Sequence, residues 1–253
     1  MVDTHCHIFS SDYNNIDDVI KRAIDNGVRM IIVNGCDAKT NNEVLELVKK
    51  YDIVYGALGI HPEEVDNYKD EDIDFIIKHI DDDKIVAVGE IGLDYHYDYD
   101  KKKQIMLFKR QLEIAKSFNK PVIIHSRDSI QDTYNILKEY NVKGIMHCFS
   151  GSLEMASEFI KLGFLLGIGG IVTFKNSKKI LDVLKEISIE YIVLETDSPY
   201  LAPEPNRGKQ NEPAYIGLIA KKIADIKGIT YEEVNSITTS NVSRLFDKQL
   251  MIW

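Results

Sequence analysis

The chain has 253 residues, 44% of them apolar, and 31 Lys plus Arg against 40 Asp plus Glu, a formal net charge of −9. That composition can bury a large core, and its acidic balance argues against the protein's own charge coating duplex DNA or an anionic membrane, although bound cations can supply local positive charge. Cys6, Cys36 and Cys148 lie far apart without a CxxC pair, which argues against a disulfide framework and for a reduced, cytoplasmic setting; no apolar run approaches the ~18 residues of a membrane span, and Asp3, His5 and His7 stand where a signal peptide would carry its apolar stretch.

Short runs rich in Val and Ile alternate with longer helical patterns along the chain. Strands are predicted at 1–6, 30–34, 53–59, 85–90, 122–125, 144–148, 164–169 and 192–196. Helices are predicted at 17–26, 40–50, 70–80, 101–119, 129–140, 153–162 and 178–187, with two more at 214–227 and 230–246. Eight β-then-α units at this length point to one α/β domain over residues 1–253, a TIM (β/α)8 barrel. An open doubly wound sheet fits less well, because no glycine-rich phosphate loop follows the first strand. One long connection, 198–213, holds four prolines, Gly208 and Arg207, and loops of that length in compact domains are usually functional or disordered.

The histidines are placed unevenly. His5, His7, His125 and His147 fall at the C-terminal ends of predicted strands, and His61 lies just beyond one. In a barrel those ends share the face that carries active sites. Strand side chains alternate in direction, so His5 and His7 can reach one ion while Cys6 points into the packing layer; the alternative is a hydrogen-bonded pair at a strand end. Glu90 closes an apolar strand, where an acid is costly unless it is paired or metal-bound. It is read either as a salt-bridge partner or, beside the histidines, as a carboxylate that bridges two cations. His125 and His147 on successive strands fit a second metal, or are satisfied buried histidines. Asp197 is either a turn residue or a ligand and general base, and Asp94 either caps a turn or orients a ligand histidine. Cys148 reads as a packing residue and His79 as a helix-surface residue.

Taken together, Asp3-Thr4-His5-Cys6-His7, Gly59-Ile60-His61-Pro62, Gly89-Glu90-Ile91-Gly92-Leu93-Asp94-Tyr95, Pro121 to Arg127, His147 to Gly151 and Leu194 to Tyr200 resemble the TatD family of metal-dependent deoxyribonucleases. The match runs in order from about residue 2 to Pro213. The resemblance implies a TIM barrel with two divalent metal ions, one held by His5, His7, Glu90 and Asp197, the other by Glu90, His125 and His147. It implies a 3′-to-5′ exonuclease acting on DNA, on single strands or strand ends, through a water activated by the metals, with Asp197 as base and Glu90 as bridge. The donor set suits Zn²⁺, Mn²⁺ or Fe²⁺ better than Mg²⁺. His61, Arg127 and Arg207 are candidates for binding phosphate oxygens; Arg can donate two parallel hydrogen bonds. Alternatively, His61 ligates a metal or shapes the pocket, Arg127 pairs with Asp128 or Glu90, and Arg207 lies on a solvated loop. No role is assigned to His96. Two other readings compete: an amidohydrolase acting on a cyclic amide, lactone or phosphotriester, and a metal- or partner-binding barrel without catalysis. The amidohydrolases often bridge their metals with a carbamylated lysine, and none stands at the mouth end of the fourth or fifth strand; Lys120 lies at the other end.

Overall fold

The computed structural model describes residues 1–247. Eight strands alternate with helices: β1 (Val2–Cys6), β2 (Met30–Asn34), β3 (Val54–Leu58), β4 (Ile85–Asp94), β5 (Val122–Arg127), β6 (Gly144–Met146), β7 (Phe164–Ile168) and β8 (Ile192–Leu194). The helices are α1 (Ile16–Asp25), α2 (Ala38–Lys50), α3 (Asp70–His79), α4 (Lys101–Ser117), α5 (Ile130–Leu137), α6 (Leu153–Lys161), α7 (Lys178–Glu186), α8 (Ile216–Lys227) and α9 (Tyr231–Phe246). The strands are hydrogen-bonded in the order β1-β2-β3-β4-β5-β6-β7-β8. Consecutive strand order with a helix after every strand is the (β/α)8, or TIM-barrel, fold. Most strand residues are apolar and buried on both faces, as parallel strands covered by helices require, and the polar residues gather in β1 and at the later positions of β4 and β5.

Two compact units can be described. Unit 1 comprises 1–32, 148–160 and 165–247; unit 2 comprises 33–147 and 161–164. In unit 1, β7 pairs with β8 in parallel, Cys6 at the end of β1 bridges Ser198, and α9 packs on β8 and β1. Helix starts there follow local chemistry. Asn15 accepts from the Asp17 and Asp18 amides at the head of α1, and Thr230 and Glu233 form a capping box at the head of α9. Gly228, with φ 66°, ends α8 in the left-handed conformation that glycine takes most cheaply.

In unit 2, β3, β4, β5 and β6 pair in parallel. The β4–β5 register places Val88 opposite Val122 but Ile91 opposite Ile124, so β4 carries one extra residue around Gly89–Glu90. Such a bulge re-aims a side chain. It also lets β4 run on to Asp94 and β5 to Arg127, further than the apolar pattern alone predicts. Close approach explains one glycine here: a Cβ on Gly59 would lie 2.6 Å from the Gly89 carbonyl carbon and 2.9 Å from the Glu90 nitrogen. Any side chain at 59 would push the bulged strand away.

Candidate metal centre

Unit 1 gathers two imidazoles and a carboxylate. His5 lies within β1 and His7 just after it, so the two share a face, and their Nε2 atoms are 3.0 Å apart. Asp197 follows β8, and its Oδ1 lies 3.8 Å from each of those nitrogens. Its backbone is left-handed, with φ 57°. Hydrogen bonds hold that turn from several sides. The Asp197 amide donates to the His5 carbonyl at 2.9 Å, and the His7 amide donates to the Ser198 carbonyl at 2.6 Å. The Thr196 amide and hydroxyl donate to Asp3 at 2.9 and 2.6 Å, and the Asn211 side-chain amide donates to the Thr196 and Tyr200 carbonyls, each at 2.7 Å. Asp3 is fully buried; burial pushes its carboxyl up to about 8, against the hydrogen bonds from Thr196 and His5 that favour the charged form. Glu195, also fully buried, accepts the Cys148 amide at 2.6 Å.

Unit 2 gathers its donors around Glu90. The carboxylate Oε1 lies 2.8 Å from His125 Nδ1, 3.6 Å from His61 Nε2 and 3.8 Å from His147 Nε2. On the other oxygen, the Cys36 thiol donates at 3.8 Å. His61, Glu90 and His125 each offer a ligand atom within 4.8 Å of the others. His125 Nε2 meets Asp94 Oδ2 at 2.9 Å, so one imidazole stands between two carboxylates. Burial works against its charged form, but the hydrogen bonds to Asp94 and Glu90 prevail and raise it to about 9. Burial likewise pushes the Asp94 carboxyl up, and the hydrogen bonds from His125 and the His96 amide outweigh it, leaving that group below its ordinary value. The peptide between Gly89 and Glu90 is cis.

The donor chemistry fits divalent cations. Each cluster combines neutral-capable imidazoles with at least one carboxylate, largely removed from water, and mixed nitrogen and oxygen donors suit Zn²⁺, Mn²⁺ or Fe²⁺. His125 must give up a proton to ligate, and the Asp94 hydrogen bond on its other nitrogen is the contact that orients ligand histidines in metal sites.

The sequence expectations fare unevenly residue by residue. His5, His7 and Asp197 converge in unit 1, and Glu90, His125 and His147 converge in unit 2. His61, read as a phosphate contact or a ligand, stands among the Glu90 donors. Asp94 does both things the sequence left open: Oδ1 accepts the His96 amide in a turn and Oδ2 bonds His125. Arg127 is exposed, with its guanidinium carbon 5.5 Å from the Tyr97 ring centroid. Arg207 is exposed in the 198–213 connection, 4.4 Å from the Phe174 centroid and 4.0 Å from Glu204. Cys148 is only half-buried, in a left-handed turn with φ 44°, so it is less a packing residue than expected. Lys120 donates to the Ile85 carbonyl at the opening of β4, away from Glu90. Asp3, Thr196, Glu195 and Asn211 were missed. For Asp3 and Glu195 the signal was present, an acid inside an apolar strand run, the same feature that singles out Glu90.

Comparison with known proteins agrees with this chemistry. The profile of the family described as TatD related DNase matches residues 2–247. The metal-dependent hydrolase YabD of Bacillus subtilis (strain 168) is 45% identical over 251 residues, covering 97% of this chain and 98% of that protein. The metal-dependent hydrolase YcfH of Escherichia coli (strain K12) is 37% identical over 255 residues, covering 97% of this chain and 95% of its own. The crystal structure of the TatD homologue YjjV from Escherichia coli K12 superposes with a TM-score of 0.93 at 31% identity, covering 98% of each chain. A chain whose whole described length matches the family profile, whose fold superposes on a TatD homologue and whose buried donors suit divalent cations belongs to the TatD family of metal-dependent hydrolases.

Proposed function

We propose that this protein is a deoxyribonuclease that hydrolyses phosphodiester bonds at DNA strand ends, in the 3′-to-5′ direction, with two divalent metal ions. The observation that carries the reading is the pair of buried histidine–carboxylate clusters in a chain matched over residues 2–247 by a TatD-related DNase profile. In this reading His5, His7 and Asp197 hold one ion, His125 and His147 the other, and Glu90 is shared, as the sequence resemblance implies. His61, 3.6 Å from Glu90, is a further donor to the same ion as His125. Bound there, the cations supply Lewis-acid polarisation of the phosphate and lower the pKa of a water.

The two carboxylates divide the work by exposure. The Glu90 side chain is 4% exposed and crowded by imidazoles, which suits holding cations. The Asp197 side chain is 13% exposed at the end of a pinned turn, which suits taking a proton from an attacking water. Arg127 and Arg207 are exposed guanidiniums, suited to phosphates of the strand backbone. With the chain at −9, those arginines and the bound cations carry the attraction to a polyanion.

The reading is tested by incubating end-labelled single-stranded DNA, duplex DNA and RNA, alongside a panel of lactones, amides and phosphotriesters, with and without a chelator. Stepwise shortening of DNA from its 3′ end, stopped by the chelator, is expected. Chelator-sensitive turnover of a lactone, amide or phosphotriester with no DNA cleavage overturns it in favour of amidohydrolase chemistry. Absence of turnover on every substrate leaves a binding protein.

A further inference from the structure

In unit 2, the segment joining β4 to α4 reads Tyr95-His96-Tyr97-Asp98-Tyr99-Asp100, an aromatic at every second position. Apolar burial does not account for it. Tyr97 is 50% exposed, His96 is exposed and Tyr99 only half-buried, although a tyrosine contributes to folding mainly by being covered. The rings nevertheless form an ordered group. Tyr97 meets His96 edge-on at 5.0 Å between centroids and Tyr99 edge-on at 6.3 Å. The Arg127 guanidinium lies over Tyr97 and the Lys101 ammonium lies 4.2 Å from the Tyr95 centroid. Each cation is attracted to a ring face by the ring quadrupole.

Both ends of the segment are pinned. At the β4 end the Gln104 side chain clasps Asp94, accepting from its amide at 2.9 Å and donating to its carbonyl at 2.7 Å. The Tyr95 amide donates to the Arg127 carbonyl at 2.9 Å, and the Tyr95 hydroxyl donates to Asp132 at 3.0 Å. At the α4 end Asp100 accepts from the Lys102 and Lys103 amides. Exposed rings on a pinned backbone lose little freedom when something flat lands on them. The segment also starts from the candidate centre, because Asp94 holds His125.

From these observations we infer that residues 95–99 with Arg127 form a ledge on which an unpaired nucleobase of the substrate strand stacks, Tyr97 providing the ring and Arg127 the charge for the adjoining phosphate. The ligand class follows from the chemistry. A flat, electron-poor ring system joined to an anion matches an aromatic face beside a guanidinium, and stacking of that kind accepts any base. A paired base has its faces taken by its neighbours in the duplex, so the ledge selects for single strands. Asp98 and Asp128 border it and repel phosphate, which leaves the Arg127 side for the backbone; the His96 ring, 3.2 Å from Asp128, occupies that carboxylate. The inference deepens the nuclease reading and rests on it for the substrate.

Fluorescence anisotropy of the metal-loaded protein tests it with two uncleavable phosphorothioate oligomers of equal length: oligothymidylate, and a strand whose sugars carry no base. Tyr97→Ala should weaken oligothymidylate about tenfold, the size expected for losing one base–aromatic stack, and leave the baseless strand unchanged. Tyr97→Phe should bind like the wild type, and Arg127→Ala should weaken both strands. Equal weakening of both strands by Tyr97→Ala, no weakening of either, or a wild type that does not distinguish the strands overturns the ledge. Cleavage of ordinary DNA by the wild type is scored separately. Tyr97-dependent binding without cleavage overturns the nuclease reading and keeps the ledge; cleavage with Tyr97-independent binding does the reverse.

Discussion

The two clusters hold their carboxylates in different ways. In unit 1, Asp197 is placed by its backbone. Its turn is fixed by Asp3, Thr196, Ser198 and Asn211 through short hydrogen bonds that do not involve the imidazole rings. In unit 2, Glu90 is placed by a strand bulge, and the side chains then hold one another, with His125 suspended between Glu90 and Asp94. A ligand set by backbone tolerates loss of its own charge, because the scaffold stands without it. Ligands set by one another do not, because removing one charge changes the protonation and orientation of the next. The comparison therefore predicts different failures when each cluster is altered.

The largest effect is expected at Asp197. Asp197→Asn keeps the size of the side chain and leaves the turn's bonds to Asp3, Ser198 and Asn211 in place. It removes the proton acceptor and one anionic donor. Phosphodiester cleavage should fall by at least ~10²–10³, on the scale of removing a general base, while thermal unfolding stays near the wild type. A variant that retains full activity removes the base role; one that unfolds removes the claim that backbone sets this ligand.

Asp94 tests the other cluster. Asp94→Asn keeps a hydrogen-bonding side chain but takes away the charge facing His125 Nε2. Partners of this kind typically contribute ~10–100-fold in metal affinity or activity. Metal content measured by mass spectrometry after dialysis against graded chelator should show that loss, and the imidazole should titrate lower than about 9 in the metal-free protein, because one of the two carboxylates that hold it charged is gone. Unchanged metal affinity together with an unchanged titration would sink the idea that these ligands hold each other.

What the sequence made legible follows the same division. The fold was legible because most strands are short Val- and Ile-rich runs and the helices between them are longer amphipathic stretches. The candidate ligands were legible because histidines and acids at the ends of apolar strands are costly without a partner. The supports were not. Asp3 reads as part of the His5–His7 motif, yet its carboxylate reaches Thr196, far along the chain, and nothing local announces that pairing. Asn211 looks like a loop residue until the 198–213 connection folds back to place its amide on Thr196 and Tyr200. The bulge at Glu90 is invisible to a period of two, because both faces of β4 are apolar. His61 lies in a loop just past β3, so the sequence left it between a phosphate contact and a ligand; only the fold shows that its ring faces Glu90.

The smallest effect expected is on stability, at Asp3. Asp3→Ala leaves the Thr196 amide without its acceptor in a fully buried place and removes a longer bond, 3.3 Å, from the His5 amide; the Thr196 hydroxyl keeps its bond to Ser198 at 3.0 Å. One stranded buried donor costs roughly 1–3 kcal/mol, about 2–12 °C in melting temperature for a chain of this size. Activity should fall further than that loss of stability explains, since Thr196 precedes Asp197 and loosening it releases the turn that aims the carboxylate. Asp3→Asn separates the two effects. Its amide oxygen can still accept from the Thr196 amide, so the melting temperature should recover most of the loss, and activity should recover with it if hydrogen bonding rather than charge holds the turn. If Asp3→Asn restores stability but not activity, accepting the Thr196 amide is not enough to aim the turn, and the carboxyl of Asp3 itself acts on the site.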